Sequence, residues 1–377
     1  MAAVDIDGDA DLDLYVCNYG SSNQLFINDG NAKFVESASR FGLAHSGAFG
    51  MAAFADYDLD GDLDVYLLGH RFYRAGGRPN RAVTILKDGR NQMLPEFENY
   101  YGVSERRGNM QINNVGAPDK LLRNDNGRFV EVTRLAGIST NRYHGNSVTW
   151  WDFNHDGLPD LYVGNDFEDP DLLYRNNGNG TFTDVTQHQL PHTSWFTMGA
   201  DCGDLNNDGF IDFLSSDMAG TTHYKSKTTM GLMGASTWFM QNTIPAQYMR
   251  NCLYVNTGTG RFHETAFLSG LAYSDWTWAV KMGDLDCDGL LDVFMSNGMT
   301  RNFNNSDNPL DVRKLHGKTE WDLYESTPTR PEQNLSFRNL GGLKFVDNSK
   351  NWGLAKTGIS YGAVWFDMEG DGDLDLA

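Results

Sequence analysis

The nine residues DYDLDGDLD, at positions 56–64, decide the fold of this chain because their pattern occurs six times along it. Acidic residues or asparagines stand at positions 1, 3, 5 and 9 of the pattern, a glycine stands at position 6, and an alternating apolar run follows. The first copy has Ala10 in place of the glycine. Such internal repetition predicts an architecture in which each copy belongs to one structural unit. The copies begin at Asp5, Asp56, Asp152, Asp204, Asp284 and Asp367.

A second motif follows each complete copy and predicts a β-hairpin. It consists of two short alternating runs around an Asn/Gly turn, as in DKLLRNDNGRFVEVT from Asp119. A third apolar run, such as NSVTWWD ending at Asp152, then leads into the next acidic stretch. One unit is therefore strand, acidic loop, strand, strand, turn, strand. Four antiparallel strands in a repeat of about 40–50 residues are typical of a propeller blade.

We therefore predict an all-β fold, a single β-propeller domain over residues 1–377, with five nearly complete four-stranded blades and a partial sixth. Three blades carry insertions between their second and third strands, at 69–118, 218–250 and 298–333. Because strand direction alternates, these insertions should leave the blades on the face opposite the acidic loops. The predicted blades span 1–44, 48–138, 145–190, 196–272, 276–355 and 359–377.

The acidic loops predict calcium sites. Alternating side-chain oxygens gather hard ligands around one small volume, and the carbonyl of position 7 can add another, which suits a cation that takes 6–8 oxygens. Zinc would require recurring His or Cys. An EF-hand would require flanking helices and a glutamate at position 12, where the second and third copies have Leu67 and Val163. Acidic turns without a metal are the alternative, because Asp, Asn and Gly favour turns.

Electrostatics favours the metal over the empty turn, because two carboxylates 4 Å apart repel by roughly 4 kcal/mol at an effective dielectric constant of about 20. We predict up to six structural Ca²⁺ ions that tie together the first two strands of each blade. The predicted ligand positions are Asp5, Asp7, Asp9, Asp11 and Asp13; Asp56, Asp58, Asp60, Asp62 and Asp64; Asp152, Asn154, Asp156, Leu158 and Asp160; Asp204, Asn206, Asp208, Phe210 and Asp212; Asp284, Asp286, Asp288, Leu290 and Asp292; and Asp367, Glu369, Asp371, Asp373 and Asp375.

Composition excludes some functions. A formal net charge of −20 argues against nucleic acid as a partner, because phosphate binding needs a basic surface. No apolar run is long enough to insert into a membrane. The cysteines match no zinc pattern, and we expect small buried or half-buried thiols at Cys17, Cys202, Cys252 and Cys287.

Sequence motifs predict neither catalytic residues nor an organic cofactor, because there is no nucleophile elbow, phosphate loop or dinucleotide fingerprint. The chain is therefore predicted to be a binding module and not an enzyme. A secreted polysaccharide-active enzyme, a lyase or hydrolase, stays the alternative, since any acidic propeller contains carboxylate pairs.

The insertions differ from the framework in charge, because they hold sixteen of the 30 Lys and Arg residues. They predict a cationic, aromatic-rich face that binds an acidic protein or glycan. Alternatively, their basic groups pair with acids of the framework. An apolar group of the second insertion is expected to pack as a cap on the propeller, and a hydrophobic ligand groove is the alternative; the group is Met230, Met233, Trp238, Phe239 and Met240. The histidines His144, His188, His192, His223 and His316 show no metal spacing. Residues predicted on the face are Arg71, Arg74, Arg78, Arg81, the remainder of Arg71–Arg107, Lys225, Lys227, Trp238 and Trp321.

With these motifs the sequence resembles the FG-GAP/VCBS repeat family, which also occurs in integrin α-chain heads. Segments starting at Asp217 (DMAGTTHYKSKTTMG), Ser274 (SDWTWAVKMGDLDCDG) and Leu335 (LSFRNLGGLKFVDNSKNWGL) resemble the cartilage-acidic-protein-like subgroup, which carries a C-terminal ASPIC/UnbV module. The resemblance implies a propeller of seven or eight blades with structural calcium, in an extracellular, cell-surface or periplasmic protein.

Both chain ends fall inside a repeat and no signal peptide is visible. We therefore expect a fragment of a longer parent, with additional blades and the C-terminal module outside it. The propeller arc is expected to be open or truncated relative to that parent.

Overall fold

The protein is described by a computed structural model and consists mainly of short antiparallel strands. Its few helices are one or two turns long, and no described helix has the length and apolar character needed to cross a membrane. The helices are Ala38–Phe41, Thr186–Gln189, His223–Thr228, Ala266–Ser269 and Trp321–Tyr324, with a 3₁₀ turn at Pro95–Phe97. The structure describes residues 1–377 except 78, 107–108, 167–168, 230–243, 303–304, 306, 308–313, 315–316 and 320.

Five sheets repeat the predicted strand order, which confirms the all-β fold of four-stranded antiparallel blades. In each blade the acidic loop joins the first two strands, and a hairpin joins the last two. The strands of blade one are Ala2–Val4, Asp13–Val16, Gln24–Asn28 and Phe34–Glu36; of blade two, Ser46–Ala55, Asp64–Gly69, Lys120–Asn124 and Phe129–Glu131; of blade three, Gly145–Trp151, Asp160–Asn165, Leu172–Asn176 and Phe182–Asp184; of blade four, Gly199–Gly203, Asp212–Ser216, Cys252–Asn256 and Phe262–Glu264; of blade five, Thr277–Gly283, Asp292–Asn297, Leu335–Asn339 and Phe345–Asp347.

Shorter strands accompany the blades. Tyr19–Ser22 adds a fifth strand to the edge of blade two. The partial sixth blade consists of one strand pair around its acidic loop. This pair is Trp365–Phe366 with Asp375–Leu376. Four further pairs lie outside the blades: Thr84–Lys87 with Arg90–Met93, Tyr101–Arg106 with Asn109–Asn114, His192–Ser194 with Ala246–Tyr248, and Glu332–Gln333 with Thr357–Gly358.

The chain divides into two compact units. The prediction of one domain with the stated blade bounds stays a prediction. The first unit contains Met1–Val148, Asn176–Thr183 and Asp311–Glu325; the second contains Thr149–Arg175, Asp184–Leu310 and Ser326–Ala377.

Each unit has a core formed by side chains of successive blades. In the first unit, Tyr15 and Leu25 of blade one pack with Val65 and Leu122 of blade two. In the second unit, one core joins blade four to blade five and another joins Tyr162 to the strands of blade four. The second strands of blades two, three, four and five are buried along their whole length.

An asparagine at the end of the third strand links each of three blades to the blade before it. Its side-chain amide donates a hydrogen bond to the backbone carbonyl of position 2 in the preceding acidic loop. The bonds are Asn176 to Tyr57 at 2.7 Å, Asn256 to Phe153 at 2.7 Å, and Asn339 to Leu205 at 2.8 Å. The hairpin motif read from the sequence therefore also connects blades, a role that sequence alone did not reveal.

Candidate metal centres

The carboxylate at position 1 folds each acidic loop around itself. In the second loop, Asp56 Oδ1 accepts a hydrogen bond from the backbone N–H of Asp60 at 3.1 Å, and Oδ2 accepts one from Gly61 at 3.0 Å. The same pair of bonds recurs in the other five loops. Since a carboxylate offers about four lone-pair sites, position 1 keeps acceptor capacity for a cation.

Two residues of each loop adopt the left-handed backbone conformation. The first is position 6, where Gly61 has φ +97° and where the first loop places Ala10 at φ +73°. The second is position 4, which the sequence analysis missed because it is often not glycine: Leu59 has φ +59° and Cys287 has φ +56°. A side chain in this conformation costs roughly 1–2 kcal/mol, which the loop hydrogen bonds must offset.

The carboxylate at position 9 accepts one hydrogen bond from the acidic loop and one from the third strand of the blade. Asp64 is fully buried, its Oδ2 accepts from the backbone N–H of Tyr57 at 3.2 Å, and its Oδ1 accepts from that of Asn124 at 2.8 Å. Burial raises the pKa of Asp64 and of Asp212 to about 7. The position-9 carboxylate therefore connects the acidic loop to the third strand of the same blade.

Three of the loops bring carboxylate oxygens within 4.8 Å of one another. Loops three and four carry Asn154 and Asn206 at position 3, so they hold one fewer acid, and calcium affinity depends partly on ligand charge. The groups are Asp5, Asp7 and Asp13; Asp56, Asp58 and Asp64; and Asp284, Asp286 and Asp288.

The second loop has carboxylate oxygens that suit a hard cation. Asp58 Oδ1 and Asp62 Oδ1 are buried and accept no hydrogen bond from the protein. Desolvation, followed by repulsion from Asp60, raises the pKa of both carboxyls. A divalent cation bound by oxygen ligands would satisfy these atoms and relieve the repulsion between them.

In the fifth loop, an arginine side chain already pairs with two of the acidic residues. The guanidinium of Arg338 lies 2.7 Å (Nε) from Asp286 Oδ2 and 3.0 Å (Nη2) from Asp288 Oδ2. Its hydrogen bond lowers the pKa of Asp288. Because Arg338 already neutralises part of this loop, it competes with a cation there, although Asp286 Oδ1 still lacks a donor.

The first and the sixth acidic loops each contain a carboxyl group with a raised pKa. In the first loop, burial and then Asp9 raise the pKa of Asp7. In the sixth loop, a side-chain hydrogen bond to Asp375 raises the pKa of Glu369, so positions 3 and 9 interact directly. Glu369 is longer than the Asp or Asn of the other loops, which explains this contact.

The insertion of blade two leaves from the end of the blade opposite its acidic loop. Antiparallel pairing places Ala55 opposite Asp64 at the loop end and Phe49 opposite Gly69 at the other end, where insertion 69–118 begins. Of the predicted face residues, Arg71 and Arg74 line a cavity together with Lys318. Arg78, Arg107, Trp238 and the Met230–Met240 group, as well as His316, lie outside the described residues.

Other cations of the insertions form ion pairs, either with the framework acid Asp275 or with acids of the insertions themselves. Lys225 forms ion pairs with Asp275 and, at 3.6 Å, with Glu332. Arg330 lies 2.9 Å from Glu332. For Lys225 the structure therefore supports the alternative in which the basic groups pack on the propeller framework. Arg81 pairs with Glu96 of its own insertion at 3.1 Å.

A cluster of one histidine, one cysteine and one glutamate was not predicted from the sequence, because its members are far apart in the chain. His192, Cys252 and Glu264 bring ligand-type atoms within 4.8 Å of one another. Arg250 occupies this group, since its Nη1 lies 2.6 Å from Glu264 Oε2 and its Nη2 lies 2.8 Å from His192 Nε2. The expectation of buried or half-buried thiols is wrong for Cys287, which is exposed because position 4 of an acidic loop faces solvent.

The sheets and their acidic loops define a β-propeller type of repeat, and the family comparison agrees with this class. Residues 5–67, 152–215 and 244–295 match the model of the FG-GAP-like repeat. The chain thus carries FG-GAP-like repeats in three regions. The comparison does not extend to the ASPIC/UnbV-associated subgroup.

Known structures and sequences add little beyond the repeat. A lectin from Agrocybe aegerita, described by its specific recognition of non-reducing terminal N-acetylglucosamine, is 14% identical, with a TM-score of 0.32, over 92% of this chain and 78% of the lectin chain. The exotype rhamnogalacturonan lyase YesX is 13% identical, with a TM-score of 0.39, over 96% of this chain and 50% of the lyase chain. Similarity at this level carries no argument about function. No curated protein sequence matches the chain.

Proposed function

We propose that the protein is a calcium-stabilised binding module of an extracellular, cell-surface or periplasmic protein. In this proposal up to six Ca²⁺ ions occupy the acidic loops and are structural. A protein or glycan partner docks on the loops at the opposite ends of the strands. The observation that carries the proposal is the second loop, where buried, unsatisfied carboxylate oxygens accompany carboxylates gathered within 4.8 Å.

The repetition of one loop geometry supports the calcium sites. All six loops form the same two hydrogen bonds to the position-1 carboxylate, which keeps further lone pairs for a cation. Oxygen ligands in flexible geometry select calcium over zinc, and the number of protein oxygens favours it over magnesium. The loops differ in affinity, because Asn154, Asn206 and Arg338 each reduce the negative charge that faces the cation.

The binding role is supported by the chemistry of the insertions. Insertions 69–118 and 298–333 both contribute cations and aromatic or polar groups to one cavity. For a polysaccharide-active enzyme, an acid or base should line a cavity. A second cavity is lined by His188. The cavity formed by insertions 69–118 and 298–333 has no carboxylate or histidine among its described lining residues. This observation favours binding over cleavage.

The calcium proposal is tested by thermal unfolding of the protein in Ca²⁺, in Mg²⁺ and in EDTA. Each occupied site should add roughly 2.7 kcal/mol at a free calcium concentration 100-fold above its Kd, because calcium binds only the folded loop. Calcium should therefore raise Tm strongly and magnesium weakly. An unchanged melting curve in EDTA would refute the structural role of calcium.

A matched pair of variants locates the effect. Asp58→Ala removes a ligand oxygen from the second loop and should lower the calcium stoichiometry by one in equilibrium dialysis. Asp88→Asn removes a carboxylate of equal charge from an exposed hairpin turn and should leave the stoichiometry unchanged. Equal losses in the two variants would show that calcium responds only to net charge.

A further inference from the structure

The first unit contains a half-open cavity of about 110 Å³ formed by two distant segments of the chain. Residues 71–77 and the tyrosines 100 and 101 form most of its wall. Lys318 and Thr319 of insertion 298–333 close another side. An enclosed cavity of about 150 Å³ holds one benzene ring, so a sugar ring would lie partly inside this open cavity and partly in solvent.

A glycine allows the two segments to meet. Gly77 is buried with φ +70°, and a Cβ atom on it would lie 1.8 Å from the backbone carbonyl oxygen of Lys318. Any larger residue would therefore force the segments apart. The guanidinium of Arg74 donates a hydrogen bond from Nη1 to the Gly77 carbonyl oxygen at 2.8 Å, which fixes the same turn.

The lining combines positive charge with aromatic rings. Arg71, Arg74 and Lys318 contribute cations, and no carboxylate is among the described lining residues. The guanidinium of Arg71 lies 4.4 Å from the centre of the Tyr73 ring, so the ring and the cation present one continuous surface. In a chain with a net charge of −20, such a local concentration of cations would attract an anion.

We propose that this cavity binds a carboxylate-bearing sugar residue, a hexuronate at the end of an acidic glycan. The cations would hold the carboxylate, the rings of Tyr73 and Tyr100 would contact the sugar face, and Asn114 and Thr319 would reach its hydroxyl groups. A simple inorganic anion would leave the aromatic half of the wall unused. The inference rests on the proposed binding function and names the ligand class of its cationic surface.

Free D-glucuronate and D-galacturonate are the probes, titrated into the calcium-saturated protein and followed by ligand-observed NMR. D-Glucose and D-galactose are the matched neutral sugars, and acetate is the matched simple carboxylate. We expect at least one uronate to bind at least tenfold more tightly than its neutral counterpart and than acetate. Binding should weaken as salt rises, because exposed charge pairs are screened over about 8 Å at physiological ionic strength.

Variants separate this cavity from general attraction to charge. Lys318→Gln should weaken uronate binding three- to tenfold. Lys87→Gln, the same substitution at an exposed hairpin position of insertion 69–118, should leave it unchanged. Gly77→Ala should abolish binding by separating the segments, and a Tm close to that of the unchanged protein shows that its blades are intact.

The outcomes distinguish this inference from the function on which it rests. Equal affinity for uronates and neutral sugars, uronate binding no tighter than that of acetate, or equal losses in Lys318→Gln and Lys87→Gln would overturn the uronate site. A protein that responds to calcium as proposed but binds no uronate leaves the binding module standing without this ligand. A protein that binds uronate without any calcium effect overturns the calcium sites alone.

Discussion

Replacing the buried Asp171 by asparagine should stabilise the protein at alkaline pH and have little effect in acid. Asp171 directly precedes the third strand of blade three and has no exposed surface. Its Oδ1 accepts from the backbone N–H of Asn165 at 2.9 Å, and its Oδ2 accepts from the hydroxyls of Tyr162 at 2.8 Å and Thr197 at 2.9 Å. Burial nevertheless raises its pKa to about 7.

The sign and size follow from linkage. In the unfolded chain this carboxyl has its ordinary pKa near 3.8, so the folded state holds the proton more tightly. Below the unfolded pKa the group costs nothing, and stability is lost as pH rises through the folded pKa near 7. The loss is about 1.4 kcal/mol per pH unit and reaches about 4 kcal/mol above pH 7.

Blade one shows that the protein fold accepts asparagine at this position. Asn23 stands at the equivalent place, its Nδ2 donates to the Tyr15 hydroxyl at 2.9 Å, and its Oδ1 accepts from the backbone N–H of Asn18 at 2.9 Å. Asp171→Asn can therefore keep the strand-end bond and the tyrosine contact without burying a charge.

Urea unfolding at pH 5 and pH 8, at one saturating calcium concentration, measures the effect as the difference between variant and unchanged protein. Taking that difference cancels the pH dependence of calcium binding. The stability advantage of Asp171→Asn should grow by up to about 3 kcal/mol between these pH values, since the titration spans about two units. Asp184→Asn, at an exposed position of the same blade, is the control. A difference that stays constant with pH, or a variant less stable at pH 8, would refute the reasoning.

Two further substitutions test the blade contacts and the loop geometry. Asn339→Ala leaves the Leu205 carbonyl without its donor in a buried site, so it should lower the unfolding free energy by about 2–4 kcal/mol in urea titration, whereas Asn177→Ala at an exposed hairpin position should change it by less than about 0.5 kcal/mol. A loss for Asn339→Ala no larger than that of the control would contradict the interblade link. Ala10→Gly relieves a left-handed side chain at φ +73° and should stabilise the calcium-loaded protein by about 0.5–1 kcal/mol after the entropy of glycine is subtracted, measured as a rise in Tm. A lower Tm would show that position 6 of the first loop carries no strain.

The repeat itself was readable from the sequence because its information is local. An acidic loop, a hairpin turn and the alternating strands around them each use residues within about fifteen positions, so the order of strands in a blade follows from spacing alone. The position-9 carboxylates, such as Asp64, were predicted as ligand positions for the same reason, and this stays a prediction. The double hydrogen-bonding role of Asp64 was not predicted, because one donor is Asn124, 60 residues further along the chain.

Two features of the acidic loops could not be predicted from the motif. The left-handed backbone at position 4 is imposed by hydrogen bonding within the loop, and residues as different as Leu59 and Cys287 accept it. Arg338 reaches the fifth loop from the third strand of its blade, 50 residues away, and changes the charge that a cation would meet. Spacing within nine residues carries no trace of either effect.

By itself, the sequence determined the all-β blade, the number and position of the acidic loops, and the end of the blade from which the insertions leave. These follow from periodicity and strand alternation, which act between neighbours in the chain. Tertiary structure alone decided which insertion cations remain at a cavity and which are neutralised. Lys318 reaches the cavity because Gly77 leaves room for its backbone, whereas Lys225 pairs with Asp275. Such outcomes depend on contacts between residues far apart in the chain, where packing and charge are decided only after folding.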